Sequence, residues 1–184
     1  QQMSAPTPSG NAGLRQRIID HFVTRLSATT VEPAPFAHFY VEGLLPPDVY
    51  KDVLAKLPGR ASYLPFNVKR WKNAKGESTR DRLCLSEDEI DRIEGDRAFW
   101  TDLTSALEAD EVRRAGFSKL RDDIAIRLEC RPDEVLDKPA YPNVMLIRDF
   151  EDYRIKPHPD GHPRVVTMQL YLAHEHSPSD LGTS

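Results

Sequence analysis

The sequence predicts an α+β fold: a mainly helical part over residues 14–131, followed by the start of a sheet over 140–184. Three observations predict it. Apolar residues recur at intervals of about four in several stretches between Leu14 and Leu128, the signature of helices with one buried face. That character changes after Pro132, where short runs rich in β-branched residues take over. The length of 184 residues suits a single domain with a real core and is short for two.

Residues 1–13 are polar, with Pro and Gly, and lack the apolar stretch of a signal peptide; they read as a disordered lead-in. Leu14, Ile18, Phe22 and Leu26 then mark one helix face. Phe36 to Val41 is a short strand-like run closed by the turn signal Glu42-Gly43. Pro46-Pro47 suits a helix start, where a missing N–H costs nothing. That helix should run to about Leu57, with Val49, Val53 (or Leu54) and Leu57 inward, and Pro58-Gly59 should stop it.

Tyr63 to Arg82 is polar, basic and aromatic without a period, so it reads as loop with strand pieces. Ser86-Glu-Asp-Glu89 has the form of a capping box and predicts a helix start. Phe99, Leu103 and Leu107 give one further helical face; Phe117, Leu120, Ile124 and Leu128 give another. Beyond Pro132, Asn143 to Ile147 is a short apolar run and Tyr153 to Lys156 alternates. Arg164 to Ala173 is the longest strand candidate, preceded by a turn over Pro159 to Pro163. No internal repeat is present.

The totals bound the function. The net charge of -4 gives no basic footprint for nucleic acid. No apolar run approaches a membrane span. Cys84 and Cys130 are far apart and outside any zinc-finger spacing, so they read as reduced thiols of a cytoplasmic protein.

The residues that can carry chemistry lie near the end. A 2-His-1-carboxylate triad holds Fe(II) on one face and leaves positions open for reactants. Its first two ligands must sit close and point the same way. His158 and Asp160 have the i, i+2 spacing that does this in an extended chain. Pro157 and Pro159 stiffen the backbone on either side of the histidine, which lowers the ordering needed on binding. The same Pro-Asp-Gly residues also suit a plain surface turn.

The residues after the turn favour the metal site. Arg164, Thr167, Tyr171 and Leu172 form R-x-x-T-x-x-x-Y-L, six residues after His158, and Asp180-Leu-Gly-Thr183 comes next. Together with His158-x-Asp160 this pattern resembles the prolyl-hydroxylase-like branch of the Fe(II)/2-oxoglutarate-dependent oxygenases. Phe36 to Pro58 is similar, more loosely, to the strand-turn-helix entry of many members. The resemblance implies N-terminal helices packed on a double-stranded β-helix (jelly-roll, cupin-like), of which this chain holds the first half. It implies a single oxygenase domain over 14–184. Its activity would be that of a dioxygenase that turns 2-oxoglutarate and O₂ into succinate, CO₂ and a hydroxylated substrate C–H bond, with ascorbate as a further candidate cofactor. His158 and Asp160 would be metal ligands and Tyr171 a contact to the cosubstrate carboxylate. Thr183 would reach the cosubstrate as well. Thr167 and Gln169 share the strand face of Tyr171 by the period of two and would line the same pocket.

Two departures stand out. Many relatives carry tyrosines on the preceding strand where this chain has Ile155, Asp149 and Arg148, and Tyr153 is out of register to replace them. The family also needs a distal histidine followed by an Arg or Lys, and the sequence stops at Ser184 before either. The expectation is therefore that the intact protein continues, since half a jelly-roll would leave an open sheet edge. Two other readings use the same residues: a zinc-dependent hydrolase built on His158, Asp160 and His162, and a catalytically inactive cupin-like binding module. The expected partner is a small-molecule or peptide substrate, with no nucleic acid and no membrane. The basic stretch Val68 to Lys75 reads as a solvated loop or as a contact for an anionic substrate.

Overall fold

The computed structural model describes residues 10–66, 68–86, 88–150, 153–154, 161 and 163–172. Within them the chain is a mixed α+β structure, with helices packed on one side of a small antiparallel sheet.

Helix α1 (Gly10–Ala28) begins four residues ahead of Leu14, inside the stretch read as lead-in. Ile18, Ile19, Phe22 and Leu26 are all at most 2% exposed and form its buried stripe. Helix α2 (Pro47–Ala55) is placed by its prolines as expected: Pro46 stands at the N-cap, Pro47 opens the helix, and Val49 and Val53 are buried. Helix α3 (Arg97–Leu107) buries Phe99, Trp100 and Leu103, and Asp96 caps it by accepting a hydrogen bond from the Phe99 N–H at 3.1 Å.

The face that runs from Phe117 to Leu128 predicts one helix, but the structure has two. Helix α4 (Asp110–Lys119) ends at Leu120, where the backbone leaves helical geometry at φ -110°, ψ 22°. Helix α5 (Arg121–Leu128) then starts afresh, with Asp122 and Asp123 in the first turn favouring a new N-terminus. Phe117 and Ile124 still meet in one small cluster with Ala125 and Val135. The larger core joins α1, α2, α3 and α4 to Leu83 and Leu85.

The sheet has the order β1 (Leu64–Pro65), β2 (Arg80–Cys84), β3 (Met145–Asp149), antiparallel throughout. Arg80 lies opposite Asp149 and Cys84 opposite Met145. Strand β3 falls where the apolar run predicts it. Strand β1 and the start of β2 come out of the stretch read as loop with strand pieces. Alternation along β2 sends Leu83 into the helical core and Arg80 and Arg82 to the other face. Between β1 and β2 the chain makes a hairpin-like excursion. Lys72 bridges Ser78 across it, and the turn passes through Gly76 at φ +79°, a left-handed conformation that suits glycine.

Three expectations are corrected. Phe36 to Val41 forms no strand; only an isolated bridge joins Glu32 and His38 there, and Phe36 and Tyr40 are exposed. Arg164 to Leu172 is not paired into the sheet. A strand would send Val165 and Val166 to opposite faces. Here both pack against the Phe117 cluster, and Met168 approaches Gly116 of α4.

The third correction concerns Ser86 and Glu89. They start no α-helix; only a short 3-10 turn spans Asp88–Arg92. The two side chains finish the sheet instead. Leu85 N–H bonds across to the Val144 carbonyl, so the Cys84 N–H points to the opposite side, beyond the end of β1. Glu89 Oε2 accepts that orphan N–H at 2.8 Å while its carboxylate also takes Arg82 Nη1 at 2.9 and 3.0 Å. Ser86 Oγ accepts the Val144 N–H at 2.6 Å. Removing a partner from a buried donor costs about 1–3 kcal/mol. Glu89→Ala should therefore destabilise by roughly 2–3 kcal/mol in urea unfolding, whereas Glu89→Gln, whose amide oxygen still accepts, should lose about half as much. Equal losses in the two variants would show that the charge on Arg82, not the Cys84 N–H, carries the effect.

Candidate functional site

His158, Asp160 and Thr183 lie outside the described residues, as does His162. Thr167, Gln169 and Tyr171 lie within them and are exposed, Tyr171 by 54%. The Tyr171 hydroxyl donates to Gln169 Oε1 at 3.1 Å. This bond sets the two side chains together although the stretch is not a strand. Leu172 turns the other way and packs against the main core.

Tyr171 does not stand alone. It lies within electrostatic range of Arg80, the first residue of β2. Arg80 is clamped by Asp149 through two parallel bonds, Nε to Oδ1 at 2.5 Å and Nη2 to Oδ2 at 2.8 Å. Its guanidinium carbon lies 4.0 Å from the centroid of the Tyr153 ring and 5.7 Å from that of Trp71. Trp71 meets Phe66 edge-on at 4.9 Å and Tyr153 at 6.3 Å. Arg82, next on the same face, lies 5.9 Å from the Phe66 ring.

The electrostatics of this cluster hold Arg80 charged. Burial works against its charge, but the Asp149 carboxylate and the nearby Tyr153 and Tyr171 phenols outweigh burial, and its pKa lies above the ordinary value. The result is a fixed cation with one phenol stacked on it and a second, hydrogen-bonded phenol in reach. Such a group can orient an anionic or carbonyl-bearing ligand that contacts Tyr171. Sequence reading singles out Tyr171 and Gln169 but misses Arg80, and it treats Asp149 only as a departure from the family pattern. The signal was present in one form: Arg80 and Asp149 are opposite charges at directly paired strand positions, which only the register reveals.

Among the described residues no group of three or more His, Cys, Asp or Glu side chains could hold a metal ion. Of the expected ligands, none is described, so the described residues bear only on the cosubstrate side of the expected site. Cys84 and Cys130 form no disulfide, and among the described residues no helix is long and apolar enough to cross a membrane. Comparison with protein-family models, with curated proteins and with solved structures gives no significant match.

Proposed function

We propose that this protein is a non-haem Fe(II)- and 2-oxoglutarate-dependent oxygenase of the prolyl-hydroxylase-like branch, hydroxylating a C–H bond of a small-molecule or peptide substrate. The observation that carries the reading is the run from His158-x-Asp160 through Arg164, Thr167 and Tyr171. The hydrogen bond that joins Tyr171 to Gln169, within electrostatic range of Arg80, supports it. On this reading the three-stranded sheet belongs to a double-stranded β-helix whose open face carries the site.

Each residue then has a task. His158 and Asp160 hold the metal, and the neutral imidazole and the carboxylate match the donor set that Fe(II) prefers. Iron held there would activate O₂, with 2-oxoglutarate giving up two electrons and leaving as succinate and CO₂, so that one oxygen atom of O₂ converts the substrate C–H to C–OH. Tyr171 would exchange its bond to Gln169 Oε1 for one to the cosubstrate carboxylate, to which its hydroxyl would donate. Thr167 and Thr183 add polar contacts. Arg80, neutralised and held by Asp149, gives the neighbourhood a fixed set of N–H donors rather than net charge. The reading also requires a third ligand and a second basic residue beyond those named. A reducing, cytoplasmic setting suits both Fe(II) and two cysteines that form no disulfide.

The test is metal content and turnover of the full-length protein. One Fe(II) per chain, with succinate released from 2-oxoglutarate in the presence of a substrate panel, is the expected result. Stoichiometric zinc without 2-oxoglutarate consumption would replace this reading by the hydrolase built on His158, Asp160 and His162. Absence of both metal and 2-oxoglutarate binding would leave a cupin-like binding module.

A further inference from the structure

The opposite face of the sheet carries a second cluster. Alternation along β3 sends Arg148 and Phe150 to the side away from Asp149 and Arg80. Arg60, at the head of the 3-10 turn Arg60–Ser62 that lies beyond α2, reaches the same ring. Its guanidinium carbon is 4.6 Å from the Phe150 centroid, and that of Arg148 is 5.6 Å away. Two cations from distant parts of the chain thus converge on one aromatic ring.

What sets this pair apart is the missing acid. Lys56, Arg80, Arg82 and Arg113 also lie over aromatic rings. Each of them is neutralised: Lys56 by Asp96, Arg80 by Asp149, Arg82 by Glu89 and Arg113 by Asp110. Neither Arg60 nor Arg148 has a carboxylate within ion-pair distance among the described residues. Asp81 is the cross-strand neighbour of Arg148, yet it is buried, forms no ion pair with it, and leaves Oδ1 without a hydrogen-bond partner. Like charges brought together without a counter-ion repel, and only the attraction of each for the Phe150 ring offsets that cost among the described residues.

The platform is also rigid. The Phe150 N–H bonds to the Thr79 carbonyl at 3.0 Å, and the Phe150 carbonyl accepts from the Tyr153 N–H at 3.0 Å. The Arg60 turn is tied down where Ser62 Oγ donates to the Arg92 carbonyl and Arg92 Nε donates to the Ser62 carbonyl. Both arginines are exposed. Pre-set donors of this kind lower the ordering cost of binding. Tyr63, buried, lies within electrostatic range of Arg148.

We infer that Arg60 and Arg148, set on Phe150, form a binding site for an anionic oxygen group, a phosphate or a carboxylate, separate from the Arg80 face. The guanidinium fork matches both groups through paired N–H···O bonds, and two forks around one ring bind a polyanionic group better than either alone. This site stands whether or not the oxygenase reading does.

Inorganic phosphate and succinate distinguish the two ligand classes. Titration by calorimetry at low ionic strength, in a His158→Ala background that removes the proposed iron site, should show saturable binding of at least one. Arg60→Gln and Arg148→Gln should each weaken it about tenfold and the double variant at least about thirtyfold, since each removes a charge-assisted contact. Preference for phosphate or for succinate assigns the class. An Arg131→Gln control, at an arginine away from this cluster, should bind as the parent does. No saturable binding of either anion at millimolar concentration, or binding that survives in the double variant, overturns the inference.

Discussion

His158→Ala should abolish 2-oxoglutarate-dependent succinate formation by the full-length protein. The loss should exceed the ~10- to 100-fold that accompanies removal of an outer partner of a metal ligand, because here the ligand itself goes. A facial triad reduced to two protein ligands holds Fe(II) both more weakly and without the geometry that directs the open positions. Asp160→Ala should behave alike, and His162→Ala should keep turnover, since the proposed iron site does not use it. In the zinc reading His162 is a ligand, and its removal would be as damaging as that of His158. Tyr171→Phe separates binding from chemistry. Losing one hydrogen bond to a carboxylate is worth about 1.5–3 kcal/mol, so KM for 2-oxoglutarate should rise roughly 10- to 100-fold with kcat little changed. Full succinate formation in His158→Ala would end the ligand assignment.

Local punctuation made part of this fold legible and distance hid the rest. The two prolines at 46 and 47 and the Pro58-Gly59 stop act on their own neighbours, so α2 could be read from the sequence. The stripe of α1 was legible for the same reason: its spacing is a local property. Strand β2 was not, because what makes Arg80-Asp-Arg82-Leu-Cys84 a strand is five residue pairs with β3, far along the chain, and the acids that neutralise its arginines. Ser86 and Glu89 carry a true helix-start pattern, but an unfilled N–H at the end of a sheet competed for Glu89 and won. In Arg164 to Leu172 the β-branched composition suggested a ladder, and packing of adjacent valines on one helical cluster decided otherwise. The candidate site divides along the same line. His158 and Asp160 are neighbours in sequence and form a motif; Arg80, Asp149, Tyr153 and Tyr171 meet only through register and packing.

Trp100→Ala should be among the most damaging changes to the fold itself, at about 3–5 kcal/mol. Trp100 is 1% exposed, so the whole indole is lost from the main core and a cavity is left between elements that cannot fully collapse. The loss is more than apolar. The indole N–H donates to the Lys56 carbonyl at 3.1 Å, which ties α3 to the C-terminal end of α2. The same junction holds Phe99, edge-on to Trp100 at 5.5 Å, and the Lys56 ammonium over the Phe99 ring at 4.5 Å. Lys56 also pairs with Asp96 at 2.7 Å, but the pair is open to water, which screens it, so it adds little. Packing and the indole bond, then, dominate over charge. Trp100→Phe tests that ranking: it keeps most of the apolar volume and loses only the N–H, so it should cost about 1–2 kcal/mol. Unfolding monitored by circular dichroism should place the Trp100→Ala midpoint roughly 6–20 °C below the parent, given about 2–4 °C per kcal/mol for a domain of this size. A shift of a degree or two would mean that α2 and α3 close over the gap, and that the core is softer at this junction than its burial indicates.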